Sequence, residues 1–567
     1  KTNIFVGLSV IDLTTGKSVV YELSADSEDN NKAYDEIYRF INSHNPKEII
    51  INAKNITMNK DKLITYLEIR NKIVHYFEDN DSVNNSNTLT TIANEIDQNI
   101  FKLSYQKTFL EKVYKNCGML SVHEYLDLEK KLYGLYSFIA LLQFSYEHNE
   151  RVIEKLEKPE IWNSNKYLIL TNNSINQLDL INSTYGNVNC KYNCLLGIVN
   201  NASTAIGKRY LKDKLLNPII NIEELNQRYD YIEELLNKNG EDIYYYKELD
   251  TLLSKILDIE RLHRKMLLKQ LHPADFTTLD IAYNNILSIL KNKVFSGKLK
   301  NILPSQENIA KFQNFIQEYN ELFDMNEISK YNQKNITNSF FQRGKIKELD
   351  IVQEKLDKSH KMLESISSKL SYYIEKGSDY VKIEHNDKEG YYLQTTKKRG
   401  ELMKKAFTNM GNKKILINDE SIESVDGVYK LDPKSLDIKF LKDRTKITSD
   451  YISQLSYKIS GLQDKVVKMT LAHFLNYLEK VGEKYGKMLG KISKFVGEID
   501  FYKSNAKSSI MFGYNRPIID TSLSDTSYIK ALGLRHPIIE RIQNEIEYVP
   551  NDIILGRSFL EKSLDQK

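Results

Sequence analysis

The stretch from 448 to 492 constrains this chain more than any other. Tyr451, Leu455, Ile459, Leu462, Val466, Met469, Phe474 and Leu478 recur at steps of three and four, with Lys, Asp and Gln between them. That period predicts one helix of roughly 45 residues which, at ~1.5 Å per residue, extends about 70 Å. A helix of that length cannot bury its apolar stripe alone. Ile351, Leu356, Met362, Leu363, Ile366 and Leu370 mark a second helix of the same character. The two satisfy each other either as an antiparallel coiled arm or inside a helical bundle, and the stripes do not separate these arrangements.

A chain of 567 residues is too long for one core and predicts roughly three to five domains. Nine prolines and 23 glycines are few for that length, which again favours long helices. With 41% hydrophobic and 28% charged residues it reads as an ordinary globular protein. The net charge of +4, from 80 basic and 76 acidic residues, is close to balance, so a polyanionic partner has to be argued from local clusters. No apolar run approaches the ~20 residues needed to cross a bilayer. Three cysteines cannot build a disulfide framework, in keeping with a reducing intracellular compartment. Cys190 and Cys194 form a C-x₃-C with no second pair and no nearby His; zinc needs about four ligands, so buried helix-end thiols are expected and no metal site. The chain opens at Lys1 without Met or a leader pattern and reads as a fragment or trimmed product.

Residues 1 to 55 read as a small α/β domain. Ile4, Val6, Leu8 and Val10 alternate along one strand, Thr14-Thr15-Gly16-Lys17 turns, and Ser18–Glu22 returns. An amphipathic helix near 31–43 and a buried strand Glu48–Asn52 follow. Asp12 invites a two-metal nuclease reading, but that chemistry needs several convergent carboxylates and none is evident, so Asp12 is expected to cap the hairpin. Residues 79–98 read as a mobile loop, and 119–375 as helical with short breaks. Between the two long helices, 379–445 turns to strand: Tyr380–Glu384 alternates, Asn386–Gly390 turns, and Tyr391–Thr396 pairs back. Just beyond lie Lys397, Lys398, Arg399, Lys404, Lys405, Lys413 and Lys414 against one acidic residue, Glu401. A run of this kind is a solvated surface or a phosphate-binding one.

Four sequence blocks carry a resemblance. One is Leu195-Leu196-Gly197-Ile198-Val199-Asn200-Asn201-Ala202-Ser203-Thr204-Ala205-Ile206-Gly207-Lys208-Arg209-Tyr210-Leu211, followed by Leu257–Leu262 and His272–Phe276. Gly390-Tyr391-Tyr392-Leu393-Gln394-Thr395 is the second, and Phe495–Asp500 with Tyr514–Pro517 the third. The fourth is Leu534-Arg535-His536-Pro537-Ile538-Ile539-Glu540 with Tyr548-Val549-Pro550-Asn551-Asp552-Ile553. In this order they resemble the MutS family, dimeric ATPases that recognise mismatched or distorted DNA. Physically, Ser203 or Thr204 is expected to cap a helix, Gly207 to allow a close crossing, and Arg209 and Arg261 to form ion pairs. The resemblance decides for the arm.

The implied fold is mixed and mainly α. It comprises an RNase H-like α/β connector (1–117), lever or core helices (118–378), a β-rich clamp at the arm tip (379–445), lever return helices (446–528) and the start of an ATPase domain (529–567). The seven basic residues from Lys397 to Lys414 become candidates for DNA contact. Tyr548, with Val549, falls where the family packs an aromatic near adenine, with a core aromatic as the other reading. His536 is expected to be a turn histidine held by Glu540. ATP and Mg²⁺ are implied for the full-length protein. No G-x-x-x-x-G-K-[ST] loop is present, Gly486–Ile492 being one residue short and in a helical pattern, so no catalytic residue is expected here. Implied partners are double-stranded DNA, a second subunit of the same type, most simply an identical one, and a MutL-type downstream factor. Other readings are a MutS homologue acting in recombination without mismatch recognition, a chromosome-organising coiled-coil ATPase, or a scaffold without DNA affinity.

Overall fold

The computed structural model describes residues 3–26, 30–54, 56, 58–77, 98–115, 117–163, 166–168, 170, 172–181, 192–375, 379–386, 390–411, 413–418, 428–520, 528–542 and 547–556. The predicted loop at 79–98, all but its last residue, lies outside this set, as does Cys190. The fold is mainly helical with small sheets, and it divides into two units. One holds 1–270, 278–312 and 484–567; the other holds 271–277 and 313–483.

In the first unit, β1 (Asn3–Asp12) and β2 (Lys17–Asp26) form the predicted hairpin, with β5 (Glu160–Ile161) parallel to β2. β3 (Glu48–Asn52) and β4 (Ile73–Phe77) make a separate parallel pair. Asp12 does cap the hairpin: its Oδ1 accepts from the Thr14 amide at 2.9 Å and the Thr14 hydroxyl at 2.7 Å. Helix Leu132–His148 packs across β1 so closely that a Cβ on Gly7 would fall 1.9 Å from the Tyr133 carbonyl oxygen. Glu22 accepts from the Tyr133 and Gly134 amides at 2.7 and 2.9 Å, filling the orphan donors of that helix's first turn. One apolar cluster gathers Val20, Phe109, Leu110, Leu126, Phe138, Ile139 and Leu142; a second gathers Tyr34, Tyr38, Ile41, Leu63 and Ile69.

The hairpin tip is tied to helices by charge. Arg209, on helix Ala205–Leu216, meets Asp258 through both terminal nitrogens at 2.8 and 2.9 Å and Glu260 at 2.6 Å, while Lys17 also pairs with Glu260. Arg261 adds a contact to Asp258 at 3.3 Å. Arg264 donates to the Lys155 and Val152 carbonyls at 2.9 Å each and lies where a Gly16 side chain would project. The ion pairs expected of Arg209 and Arg261 are therefore present.

The long helix runs Asp450–Phe512, twenty residues past the predicted end. Phe495-Val496-Gly497-Glu498-Ile499-Asp500, expected beyond it, is part of it. The extension holds because Gly497 is not a stop here: a Cβ there would press on Ile206 Cγ2 at 2.9 Å, so the glycine serves helix contact. Gly486–Ile492 also lies inside this helix, its amides committed to the helical ladder.

In the second unit, helix Lys347–Tyr372 buries Leu349, Val352, Leu356, Met362, Leu363, Ile366 and Leu370 along one stripe. Phe340 and Phe341, just before it, touch Phe474 and His473. His360, in its middle, meets Tyr391 edge-on, and Tyr391 in turn bonds Ser456 and Gln463. As numbers rise on one helix, partner numbers fall on the other, so the two run antiparallel. Phe276, Phe323, Phe340, Phe474 and Tyr477 close an aromatic core beside them. The insert forms a four-stranded antiparallel sheet in the order β10-β11-β7-β6, from β6 (Lys382–Asn386), β7 (Gly390–Thr396), β10 (Asp437–Phe440) and β11 (Arg444–Thr448). A separate pair joins β8 (Ile415–Asn418) to β9 (Val428–Leu431).

Candidate nucleic-acid interface

Five of the seven predicted basic residues fall on one helix, Lys397–Met410, packed on the four-stranded sheet. Its buried side carries Gly400, Met403 and Phe407. Gly400 is required there, because a Cβ would collide with Thr445 Oγ1 on β11. Helical spacing turns Lys398 and Lys405 to the opposite side and leaves Lys397 and Lys404 on its flank, and all four are exposed. Lys397, Lys398 and Lys405 make no ion pair with any described residue, whereas Lys404 lies 5.7 Å from the Phe440 ring. Arg399 departs from the group: it is half-buried, its guanidinium 3.8 Å from the Tyr380 ring centroid. Lys413 and Lys414 follow the helix and are exposed.

The first turn of this helix holds Lys397, Lys398 and Arg399 and no acidic residue, and Thr396 at its N-cap makes no side-chain bond. The partial positive charge of a helix N-terminus disfavours cations there by about 0.3–1 kcal/mol each. Cations and unfilled N–H groups at one end suit an external anion. The charge run was readable from the sequence, but the basic residues on the strands were missed: Lys382, Lys439, Arg444 and Lys446. Their one signal was the alternation of Asp437-Ile438-Lys439-Phe440 and Arg444-Thr445-Lys446-Ile447-Thr448.

In the first unit, the asparagine-serine-threonine motif surrounds a buried ion cluster. Thr204, not Ser203, is the cap: its hydroxyl oxygen accepts from the Gly207 amide at 2.9 Å and donates to Asp500 Oδ2 at 2.7 Å. The Ser203 and Thr204 amides donate to Asp500 at 3.1 and 2.7 Å. Lys503, with no exposed surface, reaches Asp500, Asp250, the Ser203 hydroxyl and the Asn201 carbonyl, all within 3.0 Å. Lys507 pairs with Asp250 at 2.8 Å. Burial opposes ionisation of Asp250, but the two ammoniums and Ser203 outweigh it and hold its carboxyl at about 2. A Cβ on Gly207 would run into Asp500 Oδ2, which explains the glycine as a close crossing.

The Arg-His-Pro motif grips the end of the long helix. Arg535 donates to the Phe512 carbonyl at 2.8 Å and the Gly513 carbonyl at 3.3 Å, and Glu540 holds Arg535 and Arg541 at 3.2 and 2.9 Å. His536 is a turn histidine held by Glu540 through the backbone, the Glu540 amide donating to the His536 carbonyl at 3.1 Å, while the His536 Nδ1 accepts from the Ile538 and Ile539 amides at 3.3 Å.

Tyr548 is half-buried and Val549 exposed, both just before a strand, Asn551–Leu555, paired with Ile529–Leu534. Neither side chain carries a charge that could meet phosphate or magnesium. The described residues contain no carboxylate, His or Cys cluster that could hold a metal, and the nearest approach to a phosphate loop is locked in a helix. The described residues therefore do not fit ATP and Mg²⁺. Cys194 is buried at the start of a short helix, Leu195–Val199. Among the described residues no helix is long and apolar enough to cross a membrane.

Comparison with known proteins finds relatives along most of the chain. The chain is 32% identical over 578 residues to a protein named as a DNA mismatch repair mutS homolog in Acanthamoeba polyphaga mimivirus, covering 97% of this chain and 50% of that one. It is 24% identical to the DNA mismatch repair protein MutS of Caldanaerobacter subterraneus, covering 97% and 54%. A mitochondrial DNA mismatch repair protein mutS homolog of Sarcophyton glaucum is also 24% identical, over 80% and 42%. The chain thus spans about half the length of such relatives. Residues 173–506, which contain the Asp500–Lys503 cluster and the basic helix, match the family model for MutS domain III, and the chain belongs to the MutS family.

Proposed function

We propose that this chain is the DNA-embracing part of a mismatch-repair protein, with residues 379–445 as a clamp that lies on the phosphate backbone. The observation that supports this most is the basic helix. Lys397, Lys398, Lys404 and Lys405 are all exposed on it, and its first turn carries cations where a helix ordinarily prefers anions. Phosphate neutralisation by such residues gives sequence-blind affinity that weakens steeply with salt. Lys413 and Lys414 extend this surface, and Arg399 supports it by stacking on Tyr380.

Around the clamp, residues 1–117 act as a connector, 118–378 and 446–528 as lever segments, and 529–567 as the approach to an ATPase domain. Two subunits enclose the duplex, and ATP binding in the ATPase domain of the whole protein changes the grip through the long helix, whose end Arg535 holds. Tyr548 and Val549 would border the adenine. A MutL-type factor reads the engaged state. Substrate choice is distorted or mismatched duplex rather than a particular sequence.

The test is binding of a labelled duplex across a salt series, with Lys397, Lys398, Lys404 and Lys405 all changed to Glu. The expected result is a slope of log K against log salt that flattens by about 3–4, near ~0.9 for each phosphate no longer neutralised. An unchanged slope would place the duplex elsewhere, and no binding by the parent chain at low salt would favour a scaffold without DNA affinity.

A further inference from the structure

We propose that the outer face of the four-stranded sheet is a second phosphate-binding surface, so that this unit takes up nucleic acid on two opposite faces. The ligand class rests on the reading of the basic helix given above; the surface itself stands on strand register.

Thr395, Thr445, Leu393 and Ile447 are buried and face the basic helix and its neighbours, as the closeness of Gly400 to Thr445 requires. Alternate residues therefore face away. Across β10, β11, β7 and β6 the register puts Lys439 opposite Lys446, Lys446 opposite Gln394, and Gln394 opposite Lys382. Three lysines and one amide thus form a single row over all four strands, about 14 Å long at ~4.8 Å per strand. Arg444 stands in the next row, donating to Gln394 Oε1 at 3.2 Å and keeping further N–H donors for a ligand. Lys446 lies 4.5 Å from the Tyr392 ring.

Like charges directly opposite one another weaken a strand pair, and Lys439 against Lys446 is such a pair. Among the described residues two carboxylates share the face with four cations: Asp437 pairs with Lys439 at 3.0 Å, and Glu384 lies opposite Tyr392. The face is mostly polar, and Tyr392, the ring it carries among the described residues, is half-buried with the Lys446 ammonium 4.5 Å from its centroid, which makes it a poor apolar anchor for a protein partner. A phosphate backbone needs no such anchor. Sheet and helix layer lie between this surface and the lysines of the basic helix, so one straight duplex does not touch both. Two segments are held, one on each side.

The experiment is titration of the full chain with a short duplex at low salt, with sedimentation to confirm that the protein stays monomeric. Three proteins are compared: the parent, K382E/K439E/K446E, and K397E/K398E/K404E/K405E. The parent should take two duplexes per chain. The sheet variant should take one, and the phase it loses should have a salt slope of about 3. The neutral variant K382Q/K439Q/K446Q, which is gentler on folding, should weaken that phase without abolishing it. One duplex per parent chain, or a sheet variant with the parent's stoichiometry and slope, overturns the proposal. A helix variant that behaves as the parent while the sheet variant loses an equivalent would instead overturn the basic-helix reading and leave the sheet surface standing.

Discussion

Lysine is used in two opposite ways in this protein. Lys503 has no exposed surface and is enclosed by Asp500, Asp250, Ser203 and the Asn201 carbonyl. Lys397, Lys398 and Lys405 stand in water with no ion pair among the described residues. A buried ammonium is tolerated only when each proton finds an acceptor, so its charge is consumed by the fold and cannot act on a ligand. An exposed one contributes almost nothing to stability and keeps its charge for a partner. The first kind should be sensitive to substitution and indifferent to salt, the second the reverse.

The largest effect should come from Lys503→Met. It leaves Asp500 and Asp250 short of a buried counter-charge, and loss of about 3–5 kcal/mol is expected in urea unfolding of that transition. The double change K503M/D500L should cost less than the sum of the two single changes, because both charges of one pair leave together. A double variant as unstable as the sum of the singles would break the comparison. Next comes Gly207→Ala, whose added carbon meets the Asp500 carboxylate; about 1–3 kcal/mol should be lost by the same measurement.

A third test asks what the interior does with a group able to discard its charge. His263 is wholly buried between Ser493 and Tyr283, and burial, only partly offset by Asp258, pushes its imidazole down to about 3. In the unfolded chain it titrates near ~6.5. Below that pH the unfolded chain binds a proton the fold refuses, so stability is full above ~6.5 and falls toward about 3. His263→Gln should remove up to ~1.4 kcal/mol per pH unit from the slope in that window. An unaltered slope would mean the histidine is not neutral in the fold.

The smallest stability effect should come from the four Lys→Glu changes on the basic helix. Urea unfolding should show no loss beyond about 0.5 kcal/mol, and the reversal at Lys397 and Lys398 in the first turn should if anything stabilise. A large loss would mean those lysines are structural, and the contrast with Lys503 would fail.

What the sequence disclosed follows the range of the forces involved. The two apolar stripes are local periodicities, so both helices and their need for a partner were legible from Tyr451 to Leu478 and from Ile351 to Leu370. The end of the long helix was not, since the apolar period was followed only to 492, and what carries the helix on, such as Ile206 packed at Gly497, comes from far away in the chain. Thr204, Asp250 and Asp500 lie far apart in the chain and meet only in the fold, so the motif could be recognised before its chemistry could be explained. The charge run at 397–414 was visible as a count. Its division into an outward row of lysines and an inward Arg399 needed the helix. The lysine row on the sheet needed cross-strand register, which a sequence does not print.

The grip of Arg535 on Phe512 and Gly513 has a consequence for how a rod of 63 residues responds to force. The last carbonyls of a helix have no donor within it, so a guanidinium that fills them fastens the final turn to the segment carrying Arg535, and a pull on that segment is borne by the rod's end instead of fraying it.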